Sequence, residues 1–438
     1  MRFPGLFLAP AATLLVANVP PSVPTPPSVP EIGAPELAAL GPDGAGVMVR
    51  QVIDKDQLDP LASLEQGKEV HADRTLTLRI WYPARASAKA VRATYTASLV
   101  GEPGTPPATF GVPALAVQDA PAAGKGYPVV LLSHGYNNDP VMLSWLAENL
   151  ATKGYVVVAP EHRDPPITDV AKSPATLLRR PLDITFVLSR LRAGLLGDLV
   201  DTGRIALVGY SFGGYGVLTV AGGSLSATSP AVSRLPAPLV ATYTAGGARD
   251  GQLHDPAIKA VVAISPAGGA PWNAWGAEGL DGIHAPLLVL AGSYDRTVGY
   301  ENGPAAIFAN AHKTERTMLT FRSAGHSIGT NPAPAAMRDR LWDFDWFEDP
   351  IWRKSRINAI SAHFITAFLD RYVKGDEARA AYFAVPGSDA VKVSDKAGWI
   401  GPFTPYAAVS AGGENPTWKG FVRGHQDGLE LRHLSVQP

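Results

Sequence analysis

Ile205-Ala206-Leu207-Val208-Gly209-Tyr210-Ser211-Phe212-Gly213-Gly214 decides how this chain is read. The four leading apolar residues predict a short buried strand, and residues 214–221 read as the first turns of a helix. A serine between them in a Gly-x-Ser-x-Gly frame is a nucleophile elbow. The backbone must turn so sharply that the serine takes a strained conformation, and its neighbours need little or no side chain. Gly209, Gly213 and Gly214 supply that room. The helix N-terminus would aim its N–H groups at an oxyanion formed beside Ser211. The alternative, a glycine-rich turn with no chemistry, fits the strand-before, helix-after context less well.

The alternation extends in both directions. Residues 75–83 alternate as a half-buried strand ending at Pro83, the antiparallel edge of a sheet. The apolar run 128–133 precedes a helical pattern over 140–153 that Gly154 stops. Residues 155–159 precede a helix over 182–192, residues 204–209 lead into the elbow, and 259–265, 287–291 and 317–321 are further strands, the last closing the series. Strands alternating with helices predict an α/β protein whose mostly parallel central sheet carries helices on both faces. Such sheets bind ligands at the carboxyl ends of their strands, so Ser133-His134-Gly135, Ser211, Asp295 and His326 are expected to meet at one edge. No period of twenty to fifty residues is visible, so the sequence gives no support to a solenoid or propeller.

With 438 residues, 46% hydrophobic and 18% charged, the chain is expected to form one large domain with extensions, over 37–375. A net charge of -1 gives no electrostatic case for nucleic acid or an anionic membrane as partner. The absence of cysteine removes disulfides, thiolate metal sites and cysteine nucleophiles together, leaving serine as the covalent catalyst. Residues 1–36, with Arg2, an apolar stretch and then many prolines, resemble a secretory signal with a stiff linker. That predicts a secreted or periplasmic protein, with a cytoplasmic tail as the alternative. The stretch is too short for an integral anchor, which needs ~20 apolar residues. Residues 222–256, rich in glycine, serine, alanine and proline, are either a lid or a passive excursion. Residues 376–438, with Trp399, Trp418 and an alternating run at 429–433, are expected to fold back as an appendage.

A serine hydroxyl needs a histidine to take its proton and a carboxylate to fix that histidine's tautomer. Asp295 follows the strand over 287–291, and His326, in Ser323-Ala324-Gly325-His326-Ser327, follows the strand over 317–321. Asp250, Asp255 and Asp281 compete for the acid; His134, His162 and His363 compete for the base. The chain order Ser211, Asp295, His326 is that of the α/β-hydrolases. In His134-Gly135-Tyr136-Asn137 the glycine allows close backbone approach, so the N–H groups of Tyr136 and Phe212 are expected to form the oxyanion hole. Trp272 and Trp275 are candidates for contacting substrate, whereas the aromatic cluster over 341–347 reads rather as packing. No His-Glu-x-x-His run occurs, and neither a metal nor a cofactor is expected.

Taken together, Trp81-Tyr82-Pro83, Ser133-His134-Gly135-Tyr136, Gly209 to Gly214, the Asp295 turn, Ala324-Gly325-His326 and the helical stretch over 356–376 resemble the platelet-activating-factor acetylhydrolase-like branch of the α/β-hydrolases. Bacterial members of that group are often labelled predicted dienelactone hydrolases. The likeness spans roughly residues 70 to 376. It implies the α/β-hydrolase fold, a Ser211-Asp295-His326 triad, an oxyanion hole at Tyr136 and Phe212, calcium independence, and cleavage of esters of short or oxidised acyl groups. The expected function is carboxylic ester hydrolysis on a small-molecule or lipid-like ester. An amidase or serine peptidase on the same fold, and a non-catalytic binding protein, are the alternatives.

Overall fold

The computed structural model describes residues 25–85, 90–276, 278–385, 418–422 and 424–437. Most of the expected signal segment, and Trp399, lie outside the described residues. The strands are β1 (Gly44–Leu58), β2 (His71–Ala84), β3 (Arg92–Leu99), β4 (Ala108–Gln118), β5 (Tyr127–Ser133), β6 (Val156–Pro160), β7 (Val200–Tyr210), β8 (Ala260–Ile264), β9 (Leu287–Gly292), β10 (Arg316–Phe321) and β11 (Leu429–Leu434). They form one sheet in the order β11-β10-β9-β8-β7-β5-β6-β2-β1-β4-β3. From β10 through β6 every pairing is parallel. The helices are α1 (Pro60–Gln66), α2 (Ser144–Thr152), α3 (Ala175–Arg192), α4 (Phe212–Val220), α5 (Ala237–Tyr243), α6 (Pro304–Asn310), α7 (Leu341–Asp345) and α8 (Lys354–Lys374).

Period-two alternation assigns each strand's side chains to two cores. Val130, Leu132, Val208, Ile264, Leu290 and Phe321 face one side, packing with Leu146 of α2 and Phe364 of α8. Val129, Leu131, Leu207, Val261, Val289 and Met318 face the other, with Ile184 of α3 and Leu218 of α4. Both faces are thus covered, which is why these strands read as continuous apolar runs.

Three local expectations are corrected. β2 is antiparallel to β6 but is not an edge, because β1 pairs along its length and β4 and β3 extend the sheet beyond it. β10 does not close the sheet: β11, from the C-terminal segment, pairs antiparallel with it from Arg316 to Phe321. Helix α3 begins before Pro181 rather than after it. A proline inside a helix frees the carbonyl four residues back. Here that carbonyl, of Leu177, accepts the Tyr215 hydroxyl at 2.7 Å, so the helix continues through the proline.

Candidate active site

The elbow places Ser211 between β7 and α4 with φ 55 and ψ -118, a conformation that only surrounding structure can enforce. The enforcing bonds are Ser211 N–H to the Ile264 carbonyl at 2.8 Å and Ala267 N–H to the Ser211 carbonyl at 3.0 Å. The glycines are required by contact. A Cβ on Gly213 would overlap the Ser133 carbonyl, one on Gly209 would overlap Gly213, and one on Gly214 would meet Pro266 at 2.8 Å.

At the carboxyl ends of β9 and β10 the turns present Asp295 and His326. His326 Nε2 lies 2.9 Å from Ser211 Oγ, and His326 Nδ1 lies 2.8 Å from Asp295 Oδ2. With the carboxylate accepting from Nδ1–H, Nε2 is left to accept the serine proton. Burial alone would raise the Asp295 carboxyl, but the bond from His326 and the N–H groups of Val298 and Thr297 hold it below the ordinary carboxylate range. It therefore stays ionised. The His326 loop is fixed from behind: Gly325 N–H donates to Asp349 Oδ2 at 2.6 Å, and the buried Lys354 Nζ donates to the Ser327 carbonyl. Ser211 is 9% exposed, enough for it to open onto a cavity.

The backbone N–H of Phe212, at the first position of α4, has no acceptor within its helix. That of Tyr136 has none among the described residues. Their side chains meet edge to face at 5.5 Å, and Trp272 meets Phe212 edge to face at 5.6 Å. Tyr136, Phe212 and Trp272, with Ile167, Val170, Val298 and the 267–271 turn, line a cavity of about 270 Å³ at Ser211. Trp275 is not part of it. It stacks on Tyr215 behind Phe212, and its Nε1 donates to Thr219 Oγ1 at 3.0 Å, so the candidate contact to substrate reduces to Trp272. The 222–256 excursion does not line the cavity either; the 161–174 loop does, while the excursion supports Trp272 from behind through Ser229 Oγ on its carbonyl at 2.6 Å. The 341–347 cluster packs elsewhere, with Phe347 edge to face on Phe110 of β4.

The competing residues are engaged away from Ser211. Asp281 pairs with His312 at 2.9 Å, Asp255 with Arg192 at 2.6 Å, and Asp250 neighbours His254. His363 accepts the Leu37 N–H among Phe364, Tyr382 and Phe421. His162 forms a second serine-histidine-aspartate relay: Ser133 Oγ lies 3.0 Å from Nε2, and Nδ1 lies 3.0 Å from Asp183 Oδ2. All three are completely buried, and Arg74 neutralises Asp183, so this copy has no route to substrate. Its partners lie 21 to 109 residues apart and leave no local spacing to read; the one signal is the charged Arg179-Arg180-Pro181-Leu182-Asp183 in the buried first half of α3. Among the described residues no three His, Asp or Glu side chains gather as a metal site, and no helix is long and apolar enough to cross a membrane.

A ferulic acid esterase from Streptomyces cinnamoneus superimposes with a TM-score of 0.50 at 21% identity, covering 78% of this chain and 94% of that one. The fold is that of the α/β-hydrolases. A family model described as PETase, PET hydrolase-like, matches residues 79–234. That segment includes the His134–Tyr136 turn and Ser211 but stops short of Asp295 and His326. Over 103 residues the chain is 31% identical to the cutinases Est1 and Est2 of Thermobifida alba, a stretch that is 23% of this chain and 32% of each cutinase. The chain thus spans about a third of the length of these curated relatives.

Proposed function

We propose that this α/β-hydrolase is a serine ester hydrolase with Ser211 as nucleophile, His326 as base and Asp295 as orienting acid. The observation that carries the reading is the continuous relay from Asp295 through His326 to a serine that opens on a cavity, where the equivalent Ser133 relay is sealed. In the proposed reaction Ser211 Oγ attacks the ester carbonyl carbon while its proton passes to His326 Nε2. The resulting oxyanion is received by the N–H groups of Tyr136 and Phe212. Collapse expels the alcohol, which takes the proton from His326. Water then attacks the acyl-enzyme with His326 again as base, and the acid leaves.

The aromatic and aliphatic lining suits an apolar acyl or alcohol group about the size of one ring or a short chain, and offers no charge to a peptide terminus. The cutinase, ferulic acid esterase and PET hydrolase-like matches are all named for ester cleavage, which supports the same reaction class. Within that class, the motifs at Trp81-Tyr82-Pro83 and Ala324-Gly325-His326 favour the platelet-activating-factor acetylhydrolase-like branch, and the proline-rich leader favours export. Turnover of a series of nitrophenyl esters beside the matching anilides tests the reaction. Short-chain and aromatic esters should be hydrolysed far faster than their anilides, and Ser211→Ala should remove the activity. Equal or preferential cleavage of the anilides, or no ester turnover, would overturn the proposal.

A further inference from the structure

Arg180, in α3, is fully buried, and each of its five N–H donors is used. Nε and one Nη2 proton bind Asp164 Oδ1 and Oδ2 at 2.9 and 2.5 Å. Nη1 donates to the His134 carbonyl at 2.6 Å and to Ser133 Oγ at 3.4 Å, and Nη2 donates to the Gly135 carbonyl at 3.0 Å. Asp164 Oδ2 in turn accepts the Asn137 N–H at 3.1 Å. The guanidinium also lies 5.3 Å from the centre of the Phe212 ring. One side chain with its carboxylate therefore grips the backbone on both sides of Tyr136 and touches the residue after the nucleophile.

The Gly135 carbonyl and the Tyr136 N–H belong to one planar trans peptide, so they point in opposite directions. Fixing the carbonyl on Arg180 fixes where the N–H aims. His134 Nδ1–H donates to the same carbonyl at 2.7 Å, its tautomer set by the His162 N–H on Nε2 at 3.2 Å. With the Asn138 N–H at 3.3 Å as a third, weaker donor, these bonds to one carbonyl also polarise the peptide and strengthen its N–H as a donor. We propose that Arg180 is a positioning residue for the oxyanion hole, holding the Gly135–Tyr136 peptide so that the Tyr136 N–H faces the reacting carbonyl. The inference rests on the reading of Ser211 as an acyl-transfer nucleophile.

Arg180→Lys tests it, since an ammonium keeps the charge but cannot reproduce the planar fork. Active sites are titrated with a fluorophosphonate, and kcat per titrated site, KM and the affinity for a trifluoromethyl ketone are compared with wild type on a nitrophenyl ester. The ketone forms an oxyanion on Ser211 and reports the hole directly. Loss of one oxyanion donor outright costs about 10²–10³ in kcat. A misaimed donor should cost about 10- to 100-fold in kcat per site, with KM within about twofold and ketone affinity falling by the same factor as kcat. A purely structural role would lower the number of titratable sites and leave kcat per site unchanged. That result, in a variant with a cooperative melting transition, overturns the inference. Should Arg180→Lys not fold, Asp164→Asn, which loosens the fork without removing it, is read the same way: a loss in kcat per site and ketone affinity at constant KM supports the inference, and wild-type values overturn it. A wild-type enzyme with neither ester turnover nor phosphonate labelling overturns the functional reading itself, a result distinct from an active wild type beside an unaffected variant.

Discussion

Ser211 and Ser133 each face a histidine that faces an aspartate, and solvent access separates them: Ser211 borders a cavity, whereas Ser133, His162 and Asp183 have no exposed surface. The chemistry of the open relay sets the mutational expectations. Because the members of a triad act as a unit, His326→Ala should lose about as much turnover as Ser211→Ala, roughly 10⁴-fold or more. Asp295→Asn should retain more, since His326 and Ser211 remain in contact. Asp281→Asn should leave turnover at the wild-type level, because that carboxylate serves His312. Initial rates on one nitrophenyl ester decide among these; abolition by Asp281→Asn with activity kept in Asp295→Asn would reassign the acid.

The elements that carry the site are held by close backbone packing. Gly213→Ala would drive a Cβ into the Ser133 carbonyl, so β5 and the elbow would have to separate. A stability loss of about 1–3 kcal/mol is expected from such overpacking, together with most of the turnover, because the two proposed oxyanion donors, the Tyr136 and Phe212 N–H groups, sit on either side of that contact. Chemical denaturation and kcat of the variant measure both; unchanged values would show that the contact can relax. The same elements were the legible ones. β5 to β10 each contain a short, buried, mostly apolar run followed by turn residues, so they announce themselves locally, and with them the candidates Ser211, Asp295 and His326. β1 was not legible: its outer half, Arg50 to Asp56, is charged because only one face meets the core. β4 contains Pro113, and β3 has no apolar run, its buried Tyr95, Ala97 and Leu99 being separated by exposed polar residues. The start of α3 was hidden because the Tyr215 hydroxyl that rescues the Leu177 carbonyl lies 38 residues away in sequence. Arg180 was hidden for the same reason, as its partners come from β5 and from the loop after β6.

At the scale of the whole molecule, three buried histidines make folding depend on pH. Burial, aided by the nearby Arg180, holds His134 well below its ordinary value and His162 at about 4; burial and Lys153 hold His363 at about 3. Unfolded, each titrates at ~6.5. Between that value and the folded ones the unfolded chain binds more protons, so this contribution is fully present above pH ~6.5 and is lost as pH falls. Glu148, whose buried carboxyl is raised, acts in the opposite sense. His363→Gln should make the unfolding free energy less steep between pH 6 and 4, by up to about 1.4 kcal/mol per pH unit; denaturation curves at several pH values that run parallel to wild type would refute this. The proposed chemistry of the whole molecule depends on one serine. Treatment with a fluorophosphonate followed by intact-mass measurement and peptide mapping should find a single adduct, on Ser211, absent in Ser211→Ala and unaffected by Ser133→Ala. An adduct on Ser133, or labelling that persists in Ser211→Ala, would contradict it.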